Sequence, residues 1–239
     1  MINIHSAKQG NLFFTYRLPE EGPLKGTIVL LDGLPSNPLS KNNLIENLST
    51  RGYAVFFPRY EGTWESDGNF LDRSPGEAII EFIGSLRRGI DLEGKRYVSN
   101  KILILGSSFG GGVALDIAAK GIADKICVTS PVISFKNVKG IETLGDYMAE
   151  KHKETYRFSL EKWNELIEDK IWNLHNNKIK NPTNILIVFG KEDDQIKERE
   201  ILEFAKEEKL NVLSLDMGHI TLSKIPGNVL DKIDSFFSE

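Results

Sequence analysis

The sequence predicts an α/β fold built on a mostly parallel sheet with helices on both faces, and three observations predict it. Short β-branched or aliphatic runs recur along the 239 residues, with room for a helix between most of them. From residue 26 onward these runs are nearly continuous rather than alternating, as strands covered on both faces require. The intervals between them carry apolar residues at the three-to-four spacing of helices, so strand and helix alternate with right-handed crossovers.

Taken in order, the strand runs are "NLFFTYRL" (11–18), "GTIVLLDG" (26–33), "YAVFFP" (53–58), "KILILG" (101–106), "KICVTS" (125–130), "NILIVFG" (184–190) and "NVLSLDM" (211–217). With an extra strand or two at the amino end, the sheet is expected to hold about seven or eight strands. The clearest helix follows residue 75, where Ile79, Ile80, Phe82, Ile83, Leu86 and Ile90 recur with helical period, and "REILEFAKEE" and "NVLDKIDSFF" repeat the pattern more briefly. One interval, 131–183, is too long for a simple crossover and reads as an insertion within a single domain spanning 1–239. There Ser159 is placed to cap a helix whose stripe is Leu160, Trp163, Leu166, Ile167, Ile171 and Leu174, and "ETLGDYMAEKH" predicts a shorter helix before it. That stripe packs either into the ordinary core or as a helical cap laid across the sheet's active edge.

Composition narrows the class. A hydrophobic fraction of 40% beside 27% charged residues is that of a folded globular chain. Net charge is -4, with no basic run, which argues against nucleic acid as a partner. The amino terminus lacks the pattern of a secretory signal and no apolar run reaches the ~18 residues of a membrane span, so a cytoplasmic protein without membrane attachment is expected. Cys127 is the sole cysteine, which excludes an internal disulfide and a cysteine-based zinc site; "KICVTS" places it in a buried strand.

Chemistry concentrates at "GSSFG" (106–110), which has the form G-x-S-x-G around Ser108. A serine on a sharp strand-to-helix turn needs small residues two positions to either side, and Gly106 and Gly110 supply them, whereas Ser107 has Leu105 before it. The alternative is a purely structural turn. A serine nucleophile needs a base, and of the four histidines His219 alone follows a strand at the carboxyl edge, in "LDMGHITLSK"; His5 precedes the crossovers, and His152 and His175 fall in the insertion. After the preceding strand, Glu192, Asp193 and Asp194 offer a carboxylate, and spacing alone does not separate them.

Serine, acid and histidine in this order on successive strand ends resemble the α/β-hydrolase superfamily, across nearly the whole chain. Its members carry a G-x-x-D pattern after the strand that here reads Gly190-Lys191-Glu192-Asp193, so the resemblance selects Asp193. It implies an α/β-hydrolase fold and backbone donors to an oxyanion from Phe109 and Leu34. Many relatives have His-Gly in that early loop, whereas this chain has Asp32-Gly33. A further stretch, "FFPRYEGTWESDGNF", looks like the Y-R-G-S/T loop of the prolyl-oligopeptidase-like branch, which would give the Tyr60 hydroxyl a place in the oxyanion hole, although Glu61 stands where arginine is usual. Trp64 would line or buttress the pocket.

The expectation is a serine hydrolase that cleaves a carboxylic ester, or an amide, of a small molecule through an acyl-enzyme, with Ser108, His219 and Asp193 as its catalytic residues and neither metal nor organic cofactor. The alternatives are a short-peptide aminopeptidase or acylaminoacyl-peptidase-like enzyme, an acyltransferase, and a non-catalytic binding protein. A haloalkane or epoxide hydrolase would need a carboxylate at position 108. Trp163, Trp172, Tyr147 and Phe158 of the insertion are candidates for an apolar pocket lining.

Overall fold

The computed structural model describes residues 3–176 and 178–239. The chain starts with an antiparallel hairpin, β1 (His5–Gln9) and β2 (Leu12–Arg17), and continues through β3 (Gly26–Leu31), α1 (Asn42–Thr50), β4 (Tyr53–Pro58) and α2 (Pro75–Arg88). A small separate hairpin follows, β5 (Ile90–Leu92) and β6 (Lys95–Tyr97). Then come β7 (Ile102–Ser107), α3 (Phe109–Ala118), β8 (Lys125–Thr129), α4 (Ile141–Lys151), α5 (Leu160–Ile167), β9 (Ile185–Gly190), α6 (Glu198–Glu208), β10 (Asn211–Leu215) and α7 (Gly227–Ser238).

The eight main strands lie in the order β1-β2-β4-β3-β7-β8-β9-β10. Only the β1–β2 and β2–β4 pairings are antiparallel; from β4 to β10 all are parallel. The sheet therefore matches the expected fold class, with the extra amino-terminal strand present as β1. Because the strands from β4 to β10 run the same way, their carboxyl ends share one edge, and loops leaving that edge can converge on a site.

Alternate residues of the central strands feed two cores. On β4, Tyr53, Val55 and Phe57 face a core shared with α1 and α7, while Ala54 and Phe56 face one shared with α2 and α3. Leu103 and Leu105 of β7 split from Ile102 and Ile104 in the same way. This two-sided burial explains why the strand runs read as continuous apolar stretches. The exception is β10, an edge strand whose residues are exposed or half-buried. Cys127 is buried in β8 as expected, and burial pushes its thiol pKa up.

The insertion folds onto the α2–α3 side. Ser159 caps α5 by accepting the Lys162 N–H at 3.3 Å, as the sequence predicts, but α4 is the longer of the two helices. The apolar stripe leaves the helix after Ile167, so Ile171 and Leu174 lie beyond it. Trp163 and Leu166 join the core that contains Phe109 and Val132, and the Trp163 indole donates to the Ile141 carbonyl at 3.1 Å. Trp172 packs against Phe109 and Phe135 with ring centroids 5.3 and 5.0 Å away. Among the described residues no helix is long and apolar enough to cross a membrane.

Candidate active site

Ser108 occupies the turn between β7 and α3 with φ 54° and ψ -120°, a backbone region that costs an L-residue ~1–3 kcal/mol. Close packing forces the turn. A Cβ on Gly106 would lie 2.4 Å from the Gly110 carbonyl oxygen, and one on Gly110 would lie 2.1 Å from that of Leu31. The glycines flanking Ser108 are thus required by backbone approaching backbone. The Ser108 N–H donates to the Thr129 carbonyl at 2.9 Å, and its own carbonyl accepts from the N–H groups of Gly112 and Val132. Its side-chain hydroxyl makes no hydrogen bond among the described residues, which leaves it free to turn toward a base or a substrate. Ser107 is buried, and its hydroxyl accepts the Leu222 N–H at 3.3 Å, a structural task.

Across the edge, the loop after β10 presents His219 and the loop after β9 presents Asp193. His219 Nδ1 lies 2.7 Å from Asp193 Oδ2, while Asp193 Oδ1 accepts the N–H groups of Gln195 and Ile196 at 2.9 and 3.0 Å. The imidazole is thereby oriented with Nε2 left for another partner. Its loop is tied to the end of β8 and the residue after it by two bonds, Ile220 N–H to Ser130 Oγ and Thr129 Oγ1 to the Ile220 carbonyl. Burial pushes the Asp193 carboxyl pKa up, but the bonds from His219 and the two backbone N–H groups outweigh it, and the net value falls below the ordinary carboxylate range. Its neighbour Asp194 is exposed and pairs with Lys139 at 3.3 Å, and Glu192 is exposed. The remaining histidines lie elsewhere: His5 pairs with Glu93, His152 with the Tyr147 hydroxyl, and His175 faces Glu207.

Ser108 and His219 line the same cleft, of about 360 Å³, together with Gly33, Leu34, Lys41 and Lys224. The N–H groups of Leu34 and Phe109 form no hydrogen bond among the described residues, so both are free donors at this end of the sheet. Tyr60 departs from expectation. It is buried outside the cleft lining, its hydroxyl donates to the Asp32 carbonyl at 3.1 Å, and its ring meets Phe109 edge-on at 5.3 Å. Burial and the nearby Asp32 charge raise its pKa well above the ordinary value. The hydroxyl is thus engaged with the backbone of the loop after β3 and does not face the cleft. Trp64 does not line the cleft either.

None of Trp163, Trp172, Tyr147 or Phe158 reaches the cleft; three are consumed in aromatic packing and Tyr147 is half exposed. The expectation of an apolar lining from the insertion is therefore corrected. Most of the lining residues carry polar side chains, Asn37, Gln195, Thr221 and Ser223 among them, although the surface they present to the cleft is about as apolar as it is polar. Sequence reasoning also missed Lys41, which reaches into the cleft from the short 3-10 turn before α1 and pairs with Asp32.

Comparison with known proteins agrees with this architecture. The esterase Pf2001 of Pyrococcus furiosus superposes with a TM-score of 0.74 at 18% identity, over 98% of this chain and 90% of that one. A soluble variant of the monoglyceride lipase of Saccharomyces cerevisiae gives 0.66 at 13% identity, over 100% and 93%. MGS-MChE2, an α/β hydrolase enzyme from the metagenome of sediments of the Mar Chica lagoon, Morocco, gives 0.65 at 19% identity, over 98% and 97%. At these identities the likeness is one of fold. No curated protein matches the sequence. Residues 70–226, more than half of the chain, match the Uncharacterised protein family (UPF0227), and this chain with its α/β-hydrolase fold belongs to that family.

Proposed function

We propose that the chain is a serine hydrolase, one α/β-hydrolase unit over 1–239 with an insertion at 131–183, that cleaves carboxylic esters of small, polar molecules. The observation that carries this reading is the strained Ser108 at the strand-to-helix turn, in one cleft with an imidazole already oriented by a buried carboxylate. In the proposed cycle the Ser108 oxygen attacks the ester carbonyl carbon while His219 Nε2 takes the hydroxyl proton. The N–H groups of Leu34 and Phe109 stabilise the negative oxygen of the tetrahedral intermediate. Collapse breaks the bond to the alcohol, which leaves with the proton from His219. Water then repeats the sequence on the acyl-enzyme, releasing the acid and restoring Ser108. Asp193 remains ionised throughout and steadies the imidazolium.

The solved structures named as an esterase and as a monoglyceride lipase support ester hydrolysis as the reaction. The modest volume supports short acyl chains, and so does the scarcity of apolar side chains in the lining, Leu34 and Pro35, against which a long chain could bury. A fluorophosphonate probe should label Ser108, identified by peptide mapping. Among 4-nitrophenyl esters, acetate and butyrate should outrun octanoate, and Ser108→Ala should lower turnover by a factor on the order of 10⁴ to 10⁶. Unlabelled Ser108 in folded protein, or full turnover in Ser108→Ala, would refute the reading.

A further inference from the structure

Asp32 and Lys41 form an ion pair whose side chains are only 6% and 5% exposed, yet both line the cleft beside Ser108. Taking two charges out of water is costly, and such a pair holds together only when further hydrogen bonds complete it. Here they do. Asp32 Oδ1 accepts the Gly33 N–H at 2.9 Å, Oδ2 accepts the Ser36 hydroxyl as well as the Lys41 ammonium, and Lys41 also donates to the Asn37 carbonyl at 3.3 Å. Two tyrosines fix the same segment from behind: Tyr60 donates to the Asp32 carbonyl at 3.1 Å, and the Ser36 N–H donates to the Tyr156 hydroxyl at 2.7 Å. Residues 32–37 are thus anchored on both sides of Leu34, whose N–H is free. The segment lies directly against the serine, for a Cβ on Gly33 would stand 3.0 Å from Ser108 Cβ.

From this geometry we infer that Asp32 and Lys41 are positioning residues that hold the Leu34 N–H where the oxyanion forms, with the Asp32 carboxylate at the place where many α/β hydrolases carry histidine. The inference rests on the hydrolase reading above. An oxyanion donor acts only if it stands ~2.7–3.1 Å from the developing charge, so a loop that must be ordered anew at each turnover loses part of its effect. Losing the Lys41 ammonium strands the Asp32 charge and releases the clamp on Asn37.

The test is steady-state hydrolysis of 4-nitrophenyl acetate by Lys41→Met, Lys41→Arg and the double variant Asp32→Asn/Lys41→Met, with active sites counted by fluorophosphonate so that unfolded protein drops out. In Lys41→Met, kcat should fall by about 10- to 100-fold with KM changed less than about threefold, because the lost interaction belongs to the transition state. Affinity for a phenylboronic acid, which forms a tetrahedral adduct on serine, should fall by the same factor, while inhibition by acetate stays constant. Lys41→Arg should recover most of kcat. The double variant strands no charge and carries the test if Lys41→Met does not fold; it should lose kcat by about tenfold, since asparagine cannot replace all three bonds. Unchanged kcat and boronic-acid affinity in these variants, with wild type active, would overturn the positioning role alone. A wild type that neither hydrolyses esters nor takes the label would overturn the hydrolase reading and this inference together.

Discussion

At Ser108 the backbone carries a strain that glycine would not feel. Its φ of 54° with ψ -120° is open to glycine, and the residue stays there because the bonds to Thr129, Gly112 and Val132 over-determine it. Ser108→Gly and Ser108→Ala should both be inactive, but they should differ in stability. Relief of strain, offset in part by glycine's greater unfolded-state entropy, should leave Ser108→Gly about 1 kcal/mol more stable than Ser108→Ala, or roughly 2–4 °C in Tm by differential scanning calorimetry. A glycine variant that melts below the alanine variant would show the turn to be unstrained. The residues of this turn were readable in the sequence because the constraint is local: two glycines at fixed offsets and a strand before them. The Asp32–Lys41 pair was not readable. It joins residues across a loop and a 3-10 turn, and an acid and a lysine nine positions apart carry no periodic signal. Tyr60 was misread for a related reason, since its neighbours name a loop but not the direction of its hydroxyl.

Elements show the same division between local and non-local information. The strands of the parallel sheet were legible as apolar runs because both faces are covered, and Ser159 marked the start of α5 through its capping bond. The β5–β6 hairpin went unread because its strands are only three residues long and Ile90, which lies on β5 beyond the end of α2, continues the apolar period of that helix; the signal the hairpin does carry is the Glu93-Gly94 pair, both at positive φ as a tight turn demands. The face of α5 was the hardest to assign. A stripe of apolar residues says that a helix packs on something, and Trp163 packs on the common core and the Ile141 carbonyl rather than over the cleft. Trp163→Phe should therefore cost about 1–3 kcal/mol, from the lost hydrogen bond and the cavity left by the smaller ring. Turnover per folded site on 4-nitrophenyl acetate should remain within about twofold of wild type. Urea denaturation and kinetics on the same preparation check both, and a collapse of kcat with stability intact would place α5 at the site after all.

Across the whole molecule, carboxylates perturbed in opposite directions make stability depend on pH in a way that two substitutions can separate. Asp193 bridges the loops after β9 and β10, and its bonds hold its pKa below the ordinary carboxylate value. Folding therefore favours its ionised form, and that stabilisation is complete above the unfolded-state value and disappears as pH falls through the lower folded one. Asp116 in α3 is the reverse: burial, with Glu77 adding to it, raises its pKa despite Lys120 and a bond from Ser74. Its ionised form is disfavoured by folding, a cost present at neutral pH that vanishes once pH has dropped through the raised folded value to the unfolded one. Asp193→Asn should accordingly be less stable than wild type at pH 7 and Asp116→Asn more stable. On acidification the Asp116→Asn advantage should fade first, as pH falls from the raised folded value of Asp116 to its unfolded one, and the Asp193→Asn deficit last, as pH falls from the unfolded value of Asp193 to its lower folded one. Chemical denaturation of the three proteins at a series of pH values measures both differences. An Asp193→Asn protein as stable as wild type at neutral pH, or a deficit that persists unchanged into acid, would show that the Asp193–His219 pair does not help to hold this edge of the sheet together, and an Asp116→Asn protein no more stable than wild type would show that burying the ionised Asp116 carries no cost.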